Sequence, residues 1–295
     1  MVLSDNVREK IFLMEEVINF PTSLLSHQGY RWENLPMVPY SDLTGAVNSL
    51  VERGRKVAIT TGFYVLGGDP PAIETDGPPG ALILAEGLKY MGMEASLLSD
   101  EYALPTLKVG LDVLQLSEKE IPLICFPIEH SDQNHVSRMN NDENDSLLSL
   151  RFAQDLFNNP LGKDLTHLIF IERVGPNHTL ESFLAQERLG TPPLEEFETI
   201  LPPLLRNRCF SSRLEDITRF TAKTHFLIEF GKKWNRPFES MGIGDRGNEI
   251  GAGRVPWEVF KDHSLTHREA IFSVDGIEFN DYMKVIERLK KIAFE

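Results

Sequence analysis

The stretch Gly242-Ile-Gly-Asp-Arg-Gly-Asn-Glu-Ile-Gly-Ala-Gly253 sets five glycines around Asp245, Arg246, Asn248 and Glu249. It directly follows a strand-like run at 238–243. Glycine serves where backbone takes a left-handed conformation or must approach something closely. Five such positions around two carboxylates describe a backbone wrapped around a small polar ligand or a cation. A turn at the surface is the plainer reading, but a turn needs one or two glycines and no interleaved acids. Gly242-x-Gly244-x-x-Gly247 also spells the dinucleotide fingerprint, which must open a helix facing the pyrophosphate. Gly251, Gly253 and Pro256 follow at once, and no G-x-x-x-x-G-K-[ST] run occurs. No nucleotide cofactor is expected.

A second polar group runs from Thr60-Thr-Gly62 to Glu74-Thr-Asp-Gly-Pro-Pro-Gly80. It starts where a short β-branched run ends and finishes at an expected helix N-terminus. Ligands of open α/β sheets sit outside the carboxyl ends of strands, and helix N-termini favour anions. Thr60 and Thr61 offer hydroxyls, and Glu74 and Asp76 offer carboxylates. Thr75 or Asp76 as a plain helix N-cap explains one residue of the cluster. The third group, Glu172-Arg173 at the end of an apolar run, reads equally as a strand-end ion pair or as a ligand contact. Among the histidines, His130 and His135 fall in a polar loop and read as exposed. His167 lies within a strand and reads as a satisfied buried group. No H-E-x-x-H or G-x-S-x-G string exists, so zincin and α/β-hydrolase chemistry find no support. The acidic run at 142–145 lacks the EF-hand glycine and reads as a solvated loop.

The elements that must position these groups alternate. Apolar spacing predicts helices over 5–20, 79–91, 104–117, 146–157 and 214–234, and a closing helix over 279–293. Strands are expected over 57–61, 94–98, 121–126, 166–171 and 238–243, with a last one at 270–274. Residues 30–40 and 129–145 read as loops. The alternation predicts an α/β three-layer sandwich with a mainly parallel, Rossmann-like sheet. The whole chain is expected to form a single domain with an N-terminal helical extension over about 1–45. The proline-bearing stretch 175–212 is longer than a normal connection and reads as a lid or insertion.

Composition bounds the class. The chain has 295 residues, 41% hydrophobic content and a formal charge of −14. That suffices for a sizeable core and argues against a nucleic-acid partner, whose phosphates demand a basic face. Cys125 and Cys209 make no disulfide framework, which fits a reducing compartment. No 18-residue apolar stretch and no leader is apparent. A cytoplasmic location without a membrane partner is expected, with the mitochondrial matrix left open.

The four strings 57–63, 74–81, 171–173 and 242–253, in this order, resemble the D-glutamate cyclase family, in particular its catalytic C-terminal domain and stand-alone relatives. The resemblance spans about 45–275. It differs where the family usually has glycine and this chain has Arg246, and in the 209–216 segment. It implies a hydro-lyase interconverting D-glutamate and 5-oxo-D-proline. The carboxylates for that chemistry are Asp76, Glu172, Asp245 and Glu249. Contacts to a small dicarboxylate-type substrate fall to Thr60, Thr61, Gly62, Glu74, Thr75, Gly77, Arg173, Arg246, Gly247 and Asn248. Two carboxylates of substrate facing several of protein call for a compensating cation. Hard oxygen ligands favour Mg²⁺, Mn²⁺ or Ca²⁺, expected at Asp76, Asp245 and Glu249. A homo-oligomer is compatible with this reading. A metal-assisted hydrolase or lyase on another small carboxylate, and a non-catalytic ligand-binding homologue, stay open.

Overall fold

The computed structural model describes residues 4–18, 42–128, 147–186, 190–211, 215–234, 236–244 and 248–252. Its centre is a five-stranded sheet formed by β1 (Lys56–Thr61), β4 (Glu94–Ser99), β5 (Leu123–Cys125), β6 (His167–Ile171) and β7 (Glu239–Ile243). The spatial order is β5-β4-β1-β6-β7 and every pairing is parallel. Counted along the chain, these strands lie in the order 3-2-1-4-5, that of a doubly wound sheet. A two-stranded antiparallel ribbon, β2 (Tyr64–Val65) and β3 (Ala72–Ile73), sits in the connection after β1. The α/β sandwich is as expected, and all five central strands are parallel.

Helices cover both faces because the central strands are apolar on both sides. Val57, Ile59, Leu97, Ile169 and Ile171 pack with Ala81, Leu82, Ala85 and Leu88 of α3 (Gly77–Tyr90) and with Leu107 and Leu111 of α4 (Leu104–Val113). On the opposite face Ala58, Leu98, Leu168 and Phe170 meet Ala153, Leu156 and Phe157 of α5 (Leu147–Asn158) and Leu227 of α8 (Phe226–Lys233). Two helices precede the sheet, α1 (Asp5–Ile18) and α2 (Asp42–Arg53). The second was not foreseen, although Leu43, Ala46, Val47 and Leu50 recur at helical spacing. The expected elements at 30–40, 129–145, 270–274 and 279–293 lie outside the described residues, as do His130 and His135. No helix among the described residues is long and apolar enough to cross a membrane.

One segment gains detail and one expectation needs correction. The irregular 175–212 stretch carries the short helices α6 (Leu180–Leu184) and α7 (Leu194–Ile200), whose Phe183 and Phe197 stack at 4.0 Å as a small satellite core. The helix expected over 214–234 forms only at Phe226–Lys233. Upstream, side chains take backbone partners that a helix would need. Asp216 accepts the Thr218 N–H at 3.0 Å, and the Thr218 hydroxyl accepts the Cys209 N–H at 2.9 Å. The Thr221 hydroxyl donates to the Ile217 carbonyl at 3.0 Å.

The start of α3 fixes how closely that helix meets the sheet. Pro78 and Pro79 occupy its first turn, where their missing N–H groups cost nothing. Gly77 is buried against both neighbouring strand ends. A Cβ there would lie 2.6 Å from Thr61 Oγ1, 2.7 Å from Glu172 Cβ and 3.1 Å from the Ile171 carbonyl oxygen. Gly77→Ala is therefore expected to cost about 1–3 kcal/mol of stability through overpacking. Urea unfolding checks this. A variant as stable as the parent would show that α3 can withdraw freely from the strand ends.

Candidate functional site

β1 and β6 are neighbours, yet the chain leaves them in opposite directions along the sheet. After β1 it proceeds to β4 and β5, and after β6 to β7. This is the topological switch point, where open α/β sheets hold ligands beyond the strands' carboxyl ends. Register pairs Thr60 with Phe170 and Thr61 with Ile171. Thr60, Thr61 and Gly62 therefore stand beside Glu172 and Arg173, with Gly77 of α3 against Thr61 and Glu172. The chain turns off β6 through Glu172, which takes φ 46° and donates its N–H to the Ile243 carbonyl at 2.9 Å. Asp76 is exposed and caps α3 by accepting the Gly77 N–H at 3.0 Å. Thr75 beside it is exposed and Glu74 is half-buried, its N–H donating to the Phe63 carbonyl at 2.8 Å.

The glycine-rich string returns to the same edge. After β7 the chain folds back, so that the Gly175 N–H reaches the Asn248 carbonyl and the Ile250 N–H reaches the Arg173 carbonyl, each at 2.8 Å. Val174 and Glu249 form an antiparallel bridge. Glu249 is 6% exposed. A Cβ on Gly244 would sit 2.7 Å from Glu249 Cβ and 2.8 Å from its Oε2, so that glycine makes room for the carboxylate. Asn248 donates to the Phe210 carbonyl at 2.9 Å, which ties the string to the 209–216 segment. No helix follows β7 among the described residues. Asp245, Arg246 and Gly247 lie outside them.

Arg173 is placed at the switch point but is engaged with the protein. Its Nη1 meets Asp100 Oδ2 at 2.7 Å, and both side chains are 1% exposed. Nη1 also donates to the Gly62 carbonyl and Nη2 to the Ala222 carbonyl, both at 2.9 Å. Asp100 in turn accepts from the N–H groups of Tyr102 at 3.2 Å, Ala103 at 3.3 Å and Ala222 at 3.4 Å. Arg173 thus joins the ends of β1 and β4 to the loop before α8. Of the two readings its sequence context allowed, the ion pair is formed, with Asp100 rather than Glu172 as the acid. Asp100 was missed, although a Ser-Asp pair closing the apolar run 95–98 repeats the strand-end pattern of the other groups.

Several buried polar atoms at this edge have no hydrogen-bond partner among the described residues: Thr60 Oγ1, Thr61 Oγ1, Arg173 Nε, Thr224 Oγ1, His225 Nε2 and Asn248 Oδ1. Buried polar groups are nearly always paired. Their accumulation at one strand edge makes that edge the candidate place for a polar ligand. Thr224 and His225 could not be read from sequence, because an unbroken helix over 214–234 would hide them on its surface. Burial, aided by Lys223 and Arg173, pushes the His225 imidazole down to about 3 and keeps it neutral. Cys209 is buried and its thiol is pushed up to about 12, so it is no nucleophile. His167, at the other end of the sheet, is fully buried and satisfied by Ser49 at 2.9 Å and Thr166 at 3.0 Å, as expected of it.

A family model described as D-glutamate cyclase-like, C-terminal, matches residues 26–182, more than half of the chain. The match takes in the segments at 60–62, 74–77 and 172–173; the string at 242–253 falls beyond it. No curated protein matches the chain.

Two outcomes follow from the buried charges. Asp100→Ala leaves Arg173 buried and unpaired, and should cost about 3–5 kcal/mol in chemical unfolding. A loss below 1 kcal/mol would show that the pair carries little. His225 is neutral in the fold down to about pH 3, whereas an unfolded imidazole titrates near 6.5. Between those values the unfolded chain binds more protons, so stability is full above pH 6.5 and falls as pH drops toward 3. Urea midpoints from pH 7.5 to 4.5 should decline less steeply in His225→Gln than in the parent. Equal slopes would place that imidazole in water.

Proposed function

This chain belongs to the D-glutamate cyclase-like family, and on that premise we propose that it interconverts D-glutamate and 5-oxo-D-proline with loss or gain of water. The observation that carries the reading is the placement of Glu172 against the start of α3 at the switch point of a parallel sheet, with Glu249 bridging Val174 two residues further along the chain.

The proton accounting suits two carboxylates. Glutamate binds with an ammonium group and an ionised side-chain carboxylate. The nitrogen attacks the side-chain carboxyl carbon, forming a C–N bond, and one C–O bond breaks. Both protons lost from nitrogen end on the departing oxygen, which leaves as water, so no proton is gained from or lost to solvent. A carboxylate that takes a proton from nitrogen and another that delivers one to oxygen complete the transfer. Glu172, beside Gly77, is the proposed base. Glu249, held at 6% exposure against Gly244, is the proposed donor after it has been protonated in the cycle. The α3 N-terminus lends partial positive charge to the developing oxyanion. In ring opening the same groups exchange roles.

A hard divalent cation belongs to the proposal through Asp245 and Glu249, where it would offset repulsion between carboxylates. Among the described residues no three Asp, Glu, His or Cys side chains stand close enough to hold a metal ion. Asp76 is occupied in capping α3. These residues alone do not make the site, and the steps above use only the chain's own groups.

The test is incubation of the purified chain with D-glutamate or 5-oxo-D-proline, with and without Mg²⁺ or Mn²⁺, followed by proton NMR. Interconversion is expected, and Glu249→Gln should slow it by about 10²-fold or more with cooperative unfolding retained. No conversion in either direction under any of these conditions would overturn the reading. Ligand-dependent thermal stabilisation without conversion would replace it with a binding role.

A further inference from the structure

The unpartnered polar atoms at the switch point divide between the two faces of the sheet. Thr61 lies on the α3 face, since Val57 and Ile59 precede it there at alternate positions and its Oγ1 adjoins Gly77. Thr60 follows Ala58 on the opposite face, where Ala58, Phe170, Ala222 and Leu227 share one core cluster. Arg173 reaches that face to bond the Ala222 carbonyl, and Thr224 and His225 follow Ala222 by two and three residues. Thr60 and Thr224 have no solvent exposure and Arg173 has 1%. Thr60 Oγ1, Arg173 Nε, Thr224 Oγ1 and His225 Nε2 are thus shielded and unpartnered, and Arg173 links the segments that carry them by bonding the carbonyls of Gly62 and Ala222, two residues from Thr60 and from Thr224.

We propose that these four atoms form a neutral polar subsite that receives the lactam amide of 5-oxo-D-proline, with Thr60 and Thr224 setting specificity for an uncharged group. The proposal rests on the cyclase reading above and deepens it. The charge of Arg173 is matched by Asp100 at 2.7 Å and its two terminal nitrogens already serve carbonyls. A carboxylate entering here would have to displace Asp100. A lactam needs no such exchange. Its carbonyl accepts from Arg173 Nε and from a threonine hydroxyl, and its N–H finds an acceptor in the other hydroxyl or in a neutral imidazole nitrogen. Burial holds His225 in that neutral form. Glu172 lies instead on the α3 side against Gly77, and Glu249 against Gly244 beyond β7. The nitrogen and carboxyl carbon on which those carboxylates are proposed to act are the same atoms that this subsite holds once the amide has formed.

The probes are 2-pyrrolidinone, the lactam ring without a carboxylate, and glutarate, two carboxylates without an amide. Their affinities for the full chain, Thr224→Val and Thr224→Ser are measured by ligand-observed NMR. The parent should bind 2-pyrrolidinone, and 5-oxo-D-proline should displace it. Thr224→Val should weaken 2-pyrrolidinone about fivefold or more, the worth of one hydrogen bond. It should leave glutarate within about twofold, and Thr224→Ser, which keeps the hydroxyl, should bind like the parent. Absence of 2-pyrrolidinone binding overturns the proposal, as does equal weakening of both probes or of neither. If Thr224→Val does not fold, Thr60→Val with Thr60→Ser is read by the same criteria. Hydroxyl-dependent lactam binding without turnover of D-glutamate would keep the subsite and remove the cyclase reading. Turnover without hydroxyl dependence would do the reverse.

Discussion

Three segments that are distant in sequence meet through the buried pair of Arg173 and Asp100. Removing two charges from water is expensive, and their attraction repays this only when every remaining donor and acceptor is served. Here the pair closes at 2.7 Å, the guanidinium serves the carbonyls of Gly62 and Ala222, and the carboxylate takes three backbone N–H groups, which leaves Arg173 Nε as the nitrogen without a partner among the described residues. The backbone after β1, the turn after β4 and the loop before α8 are thereby set relative to one another. Thr60, Thr224 and His225 owe their placement to this junction. The Arg173 backbone adds a fourth segment, since its carbonyl receives the Ile250 N–H next to Glu249. One residue thus braces the loop before α8 with its side chain and the returning glycine string with its main chain.

The framework was legible because its central strands are apolar on both faces, its edge strand β7 starts after a proline and runs into the glycine string, and the helices between them are amphipathic. β1, β4, β6 and β7 fall within a residue or two of their expected bounds for that reason. The Glu-Thr-Asp-Gly-Pro-Pro-Gly string was legible as a helix entry, and its glycine proves to be a close-approach position rather than a turn. What could not be read was the region from 209 to 225. Its apolar residues Ile217, Phe220 and Ala222 have near-helical spacing, but local hydrogen bonds from Asp216, Thr218 and Thr221 take the backbone elsewhere. Thr224 and His225 were lost with that assignment. The partner of Arg173 was lost for another reason: a sequence shows that an acid follows a strand, but not which neighbouring strand brings an arginine to it.

The short 209–218 turn illustrates how a segment without regular structure still shapes the site. Phe210 and Asp216 bridge, and Arg208 meets Asp216 at 2.6 Å to close the turn. Cys209 and Ile217 pack with Phe63 and Val174 in a separate small cluster. The Phe210 carbonyl then anchors Asn248, one residue before Glu249. The position of a buried carboxylate therefore depends on a turn more than thirty residues away in sequence. Changes in that turn can move Glu249 without altering any residue of the glycine string.

The neutralisation of Arg173 bears on the proposed chemistry as well as on the fold. An arginine fork free to grip the side-chain carboxylate of glutamate would bind the ground state strongly. It would favour the ionised carboxylate, which is the form least open to attack by nitrogen. Binding energy given to the ground state does not lower the barrier. An arginine whose charge is already matched by Asp100, and which keeps only its Nε proton and one Nη2 proton for a ligand, suits an amide or a developing oxyanion better than a full carboxylate. On the proposed reading, ionic recognition is left to groups on the α3 and β7 sides. The centre of the switch point stays electrically balanced, so that the reacting carboxyl group meets no strong cation from the described part of the chain until it begins to change.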